Sequence, residues 1–241
     1  MEVRPEFECP NLGSLSEAEA NMLEVPFSIN EIKAIVWECD GDQAPGPDGF
    51  NFNFVKKCWS GIQDDILKLF NKFYTDGSLN KCCTSSFIAL IPKVKDPASP
   101  SNFRPISLIG IINKVISKVL VNTLKGVVGK LISEQQSAFL ADRNIMDGPL
   151  ILNEIMNWLK KFKKKGMFFK IDIHKAYDSV NWKFLNSIMA QMNFLTRWRS
   201  WVMATLHSAR ESVLVNGLQP RNSIVLEGSV REIHYLRSFS F

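Results

Sequence analysis

The sequence predicts an α+β fold. Three observations carry that class: amphipathic stretches with helical spacing recur along the chain, short β-rich apolar runs are interspersed among them, and those runs lie so far apart that they must pair non-locally. With 241 residues, 46% hydrophobic and 22% charged, the chain has ordinary globular composition and enough length for one large domain or two small ones. Such a composition excludes intrinsic disorder as the default state.

Pro5, Pro10 and Pro26 punctuate the first segment, and a short helix is expected from Ser14, where Ser-Leu-Ser-Glu precedes an acidic first turn. Pro26-Phe27-Ser28 opens a second helix, with Ser28 and Glu31 as a capping box and Ile32, Ile35 and Val36 at helical spacing. The stretch DGDQAPGPDGF, residues 40–50, is broken by prolines and glycines and must be a loop. Over 54–74 the apolar positions Phe54, Cys58, Ile62, Ile66, Leu69, Phe70 and Phe73 predict an amphipathic helix that Gly77 closes. Residues 86–94 and 103–108 read as the strands of a long-looped hairpin around the turn cluster DPASPSN.

Helical spacing resumes over 109–128, with Ile112, Val115, Ile116, Val119, Leu120, Leu124 and Val127 inward and Lys114, Lys118 and Lys125 on a more polar side. A further helix is expected at 149–165, its basic end KKFKKK suiting the negative end of the helix dipole, and Gly166 stops it. Residues 167–173, MFFKIDI, read as a strand with a carboxylate near its end; helices follow at 181–192 and 196–206, then a strand at 212–215 before Asn216-Gly217.

Lys and Arg number 29 against 24 Asp and Glu, a net charge of +5 that permits a polyanionic partner without requiring one. No apolar run reaches the roughly 18 to 20 residues of a membrane helix, and the start MEVRPEFECP is too acidic and proline-broken for a secretion signal. The expectation is a soluble intracellular chain, in cytoplasm or nucleus, with no membrane partner. The five cysteines include no CxxC pair, and His174, His207 and His234 are too scattered for a metal cluster or a Ser/His/Asp triad.

The chemistry concentrates in FFKIDIHKAYD, residues 168–178. A carboxylate leaving an apolar strand is costly to desolvate unless a cation holds it, which makes Asp172 a candidate ligand for a hard divalent ion. On the residues alone, an exposed Asp172 capping the following turn is an equal reading. FFKIDIHKAYDSVNW resembles the first catalytic palm motif of reverse transcriptases from non-LTR retrotransposons, in the form plants carry. The segments PFSINEIKAIVWECDGDQAPGPDGFNFNF (26–54), IALIPKVKDPASPSNFRPISLIGIINKVISKVL (88–120), ISEQQSAFLADRNIMDGPLILNEI (132–155) and SVLVNG (212–217) resemble the same family in the same order. Group II intron maturases are the nearest alternative, but PGPDG, NFRPISL and AYDSVNW fit the retrotransposon family better.

The resemblance implies a right-hand polymerase using Mg2+, with Mn2+ as an alternative, by the two-metal logic of phosphoryl transfer. Asp172 would be a catalytic metal ligand joined by the backbone carbonyl of Ile173, and Tyr177 the aromatic gate that excludes a 2′-hydroxyl. Asp178 would turn and cap the chain. Lys93 and Arg104 would bind the incoming nucleotide from the hairpin, which can bring both cations over one phosphate. Arg143 matches a family arginine usually preceded by glycine, but Asp142 stands there, which weakens a template-contact role. The PGPDG loop lacks the Lys-Ser/Thr ending of a P-loop and reads as a structural turn near the template path. The implied partners are an RNA template, an RNA–DNA duplex and deoxynucleotide triphosphates.

The expected organisation is an N-terminal segment at 1–25, a fingers-like region at 26–165, a partial palm at 166–226 and a tail at 227–241, with the rest of the palm and the thumb lacking. The Tyr-x-Asp-Asp hairpin that gives the family its other metal-binding aspartates is not in these residues; the pair Asp64-Asp65 falls in an early helix. Residues 228–241 can be encoded by a nucleotide string that, regrouped from its third base, reads V-R-Q-G-D-P-L-S-P-F-L-F-I, the family's next segment. The expectation is therefore a frameshifted, truncated and inactive copy. The alternatives are a fragment that still binds RNA without sequence preference, through Lys93, Arg104 and the run at 160–165, and a non-functional pseudogene product.

Overall fold

Side-chain caps set where the early helices begin. In the computed structural model, which describes residues 8–140, 142–172, 180–207, 210–214 and 226–227, helix α1 (Glu17–Leu23) starts on a reciprocal capping box between Ser16 and Glu19, not on Ser14. Helix α2 (Ile29–Glu38) starts where the sequence places it: Ser28 Oγ accepts from the Glu31 N–H at 3.2 Å. Burial pushes the Glu31 carboxyl up, against the pull of the Ser28 amide.

Helix α3 (Phe52–Asp76) is capped by Asn51, whose side chain accepts from the Phe54 N–H at 3.0 Å. It ends on Gly77 at φ 60°, the left-handed stop expected there. Its inward stripe follows the expected one from Ile62 on, where Ile62, Ile66 and Leu69 pack against the core and Phe70 and Phe73 are buried, and departs from it only near the start. Phe52, Val55, Trp59, Phe70 and Phe73 are buried, whereas Phe54 is 43% exposed and stacks on Phe50 at 4.5 Å. Phenylalanines at both 52 and 54 leave the first turn open to two readings, and Phe52 is the one that lies on the face continuing to Trp59, Phe70 and Phe73.

Helix α5 (Ile111–Leu131) runs through the core, with α1, α2 and α8 (Thr196–His207) against it. Val115, Ile116, Val119, Leu120 and Val127 are buried as the spacing predicts, while Ile112 and Leu124 are only partly covered. Helix α7 (Trp182–Gln191), capped by Asn181, packs on α8 and contributes Met189 to the same core. Phe27 anchors the aromatic centre, edge-on to Phe70 at 5.4 Å and 5.3 Å from Trp201. The Glu24 carboxylate accepts from the Trp198 N–H at 2.8 Å, satisfying a first-turn amide of α8.

A helical turn, α4 (Lys81–Thr84), leads into β1 (Ser85–Pro92), which pairs antiparallel with β2 (Phe103–Ile109) as the expected hairpin. On the other edge of β1 lies β3 (Arg210–Val213), in parallel, and β4 (Leu226–Glu227) pairs antiparallel with β3, giving the order β2-β1-β3-β4. The strand expected at 212–215 thus begins earlier, and Val215 lies outside the described residues.

The strand expected at 167–173 is not formed in its described part: residues 167–172 are irregular and exposed, Met167 at 91% and Phe169 at 83%. A near-continuous apolar run is stable as a strand only with neighbours on its edges and cover on its faces. Among the described residues, no strand of the sheet β2-β1-β3-β4 pairs with this run. Helix α6 (Asp147–Lys161) forms but buries no residue, and Lys163 at φ 50° ends the helical path short of 165.

Candidate nucleotide-binding hairpin

Register fixes which way the hairpin's cations face. Arg104 pairs with Ile91, and the Lys93 N–H donates to the Asn102 carbonyl at 2.7 Å, carrying the ladder past Pro92. Side chains alternate across a strand, so Lys93 and Arg104 share a face as diagonal neighbours, within reach of one phosphate group. Both are exposed. The opposite face carries the paired residues Ser86 and Ile109, which are buried. Lys93 Nζ donates to the Ser101 carbonyl at 2.9 Å, which holds the ammonium at the hairpin tip.

The PGPDG loop docks on the base of this hairpin. Gly46 lies so close to the β2–α5 junction that an added Cβ would sit 2.5 Å from the Gly110 nitrogen. Asp48 Oδ2 accepts from the Ile111 N–H at 2.6 Å, capping α5, whose own N-cap Gly110 has no side chain to do so. Lys114 returns the contact, its Nζ donating to the Ala44 carbonyl at 3.2 Å. Burial pulls the Lys114 ammonium below the usual lysine range, partly offset by Asp48 and Cys39.

The remaining expected residues are not brought to this face by any described contact. Asp172 is exposed, and among the described residues no group of three or more His, Cys, Asp or Glu lies together to hold a metal. Ile173, Tyr177 and Asp178 lie outside the described residues. Arg143 is occupied: its guanidinium donates to the carbonyls of Ser133, Gln136 at 2.7 Å, Gly129 at 3.0 Å and Ile132 at 2.9 Å, closing the C-terminus of α5.

The profile of the reverse transcriptase (RNA-dependent DNA polymerase) family matches residues 91–227, from the hairpin through β4. The chain belongs to this family. Among curated relatives, the Transposon TX1 uncharacterized 149 kDa protein of Xenopus laevis is 24% identical over 202 residues, covering 84% of this chain and 15% of the relative. The Pol polyprotein of the type-1 element R2 of Nasonia vitripennis is 28% identical over 199 residues, 81% of this chain and 18% of its own length. That of the R1 element of Bradysia coprophila is 23% identical over 190 residues, 77% and 19% respectively. The match and these relatives bear out a reverse transcriptase of a non-LTR element, while the chain spans under a fifth of each relative's length. No described helix is long and apolar enough to cross a membrane.

Sequence reasoning missed Asp48. The one signal for it was an α5 start at Gly110 with no Ser, Thr, Asp or Asn to cap it, so the acceptor had to come from elsewhere in the chain.

Proposed function

We propose that this reverse transcriptase chain holds the triphosphate of an incoming deoxynucleotide on its hairpin but does not carry polymerisation through as these 241 residues. The observation that supports the first half is the shared exposed face of Lys93 and Arg104. A guanidinium binds phosphate oxygens through paired donors, and a lysine ammonium with one donor engaged keeps two more.

In this reading residues 26–165 correspond to fingers and 166–226 to part of a palm, with 227–241 a frameshifted tail. Asp172 and the Ile173 carbonyl would hold Mg2+ or Mn2+, which in this chemistry helps ionise the attacking hydroxyl and neutralises the leaving pyrophosphate. Tyr177 would sit under the sugar. The second half of the proposal rests on the carboxylate set: no Tyr-x-Asp-Asp stands in these residues, and one aspartate does not neutralise two divalent ions. RNA template and RNA–DNA duplex would be held through phosphates, without sequence preference.

Titration of a labelled deoxynucleotide triphosphate tests the hairpin. Arg104→Ala is expected to weaken binding about tenfold or more, since the charge-assisted bonds of one guanidinium are worth about 1.5 to 3 kcal/mol, with a smaller loss for Lys93→Ala. Equal affinity in the parent and in the double variant would overturn the assignment.

A further inference from the structure

We infer that residues 9–15 form a strap that latches helices α7 and α8 onto the end of α5, and that its release frees those two helices without unfolding the rest of the core. This goes beyond the nucleotide reading above and does not rest on it.

Both ends of the strap are anchored to the turn that joins α7 to α8. The Cys9 N–H donates to Gln191 Oε1 at 3.0 Å, and the Leu15 N–H donates to the Met192 carbonyl at 3.0 Å. Asn193 Nδ2 donates back to the Leu15 carbonyl at 3.3 Å. The partners lie as far as 182 residues apart in sequence. An irregular lead-in to α1 needs none of these bonds, because its amides can bond to water instead.

The middle of the strap is wedged against α5. A Cβ added at Gly13 would lie 2.8 Å from both the Cα and the carbonyl oxygen of Leu131, and 2.9 Å from the Lys130 carbonyl oxygen, so backbone meets backbone there. Asn11, at φ 75°, turns the chain just ahead of this contact. Leu15 is buried and belongs to the same core cluster as Leu131, Met189 and Phe194.

Asn193 marks the joint. It stands at φ 64° just past α7, where the Phe194 N–H donates to the Met189 carbonyl at 3.0 Å and the Asn193 N–H to the Ala190 carbonyl at 3.1 Å. That is a Schellman turn, and its left-handed position ordinarily takes glycine. Asparagine tolerates the same conformation and adds a side-chain amide, which here reaches the strap.

The latched helices precede the sheet. Helix α8 ends at His207, and β3 begins at Arg210, parallel to β1 of the hairpin. The described anchors of the strap are three hydrogen bonds, one backbone contact and one buried leucine, while α2, α3 and α5 bury many side chains each. An element held by so few groups opens locally, at lower free energy than the whole fold.

Amide hydrogen exchange of the whole chain, followed by NMR, tests the latch. The Leu15 amide is expected to be protected in the parent. Asn193→Gly keeps the left-handed turn and removes the side-chain bond, so it should speed exchange at Leu15 and in the last turn of α7 about two- to tenfold, the worth of one hydrogen bond. Gly13→Val forces the strap off Leu131 and should speed exchange at Leu15 and across 188–206 about tenfold or more, while α2 and α3 keep parental rates.

A parental Leu15 amide that exchanges as fast as in an unstructured peptide would overturn the strap. So would a Gly13→Val chain in which Leu15 exchanges faster but 188–206 does not, since the strap would then hold nothing. An equal rise over every helix would also overturn it, because the core would be opening as one unit. If Gly13→Val does not fold, Asn193→Gly decides: faster exchange at Leu15 and the end of α7 with parental α2 and α3 supports the latch, and a parental rate at Leu15 overturns it.

Discussion

The carboxylate of Asp48 accepts the amide of Ile111 at 2.6 Å, across a sequence separation of 63 residues. That bond ties the PGPDG loop to the first turn of α5, and because β2 ends at Ile109, it also fixes the base of the hairpin that carries Lys93 and Arg104. With Lys114 donating back to Ala44, loop and helix are pinned from both sides.

Asp48→Ala should therefore destabilise the chain by about 0.5 to 2 kcal/mol, the usual cost of a lost N-cap, and Asp48→Asn by less. Urea unfolding checks this. A midpoint unchanged in Asp48→Ala would show that the bond contributes nothing.

Two glycines should respond in opposite directions. At Gly46 a methyl group would meet the backbone of Ile109 and Gly110, so Gly46→Ala should cost about 1 to 3 kcal/mol, as overpacking does. Gly61 lies inside α3 with nothing within 4 Å of an added Cβ, so Gly61→Ala should stabilise by about 0.5 to 1 kcal/mol. Thermal melts of the two variants read the signs directly.

Arg143 should behave as a structural residue. Its donors close the carbonyl end of α5, so Arg143→Ala should lower stability by about 1.5 to 3 kcal/mol while leaving RNA affinity per folded molecule unchanged. A loss of RNA affinity with no change in unfolding midpoint would instead restore the template-contact role.

Acid should reveal the link between α1 and α5. Lys130 and the Ser16 cap hold the Glu19 carboxyl down at about 2, from an ordinary 4.5. A carboxylate whose folded pKa is depressed contributes stability above its unfolded pKa and loses it as pH falls through the folded value. Glu19→Gln should thus be less stable than the parent near pH 6, with the difference shrinking between about pH 4.5 and 2. A constant difference over that window would contradict the pairing.

The hairpin was legible because β-rich runs flank an unmistakable turn cluster, and pleating then dictates that Lys93 and Arg104 share a face. The end of α3 was equally plain, since Gly77 is a strong stop signal. The inward face of α3 was legible from Ile62 to Phe73 but not in its first turn, where phenylalanines at 52 and 54 stand on two faces and only tertiary packing decides between them. Asp48 was read as turn chemistry because its partner is distant in sequence, and no local pattern encodes a long-range cap. The run at 167–172 has strand composition, but a strand also needs a pairing neighbour, a tertiary property absent from the segment itself, and none of the described strands pairs with it.

Primer extension on an RNA template, with Mg2+ or Mn2+ and labelled deoxynucleotides, tests the central claim most directly. The account predicts that this 241-residue chain binds the primer–template at low salt and incorporates no label. Incorporation that disappears in Asp172→Ala would contradict it, showing that these residues complete a working polymerase centre.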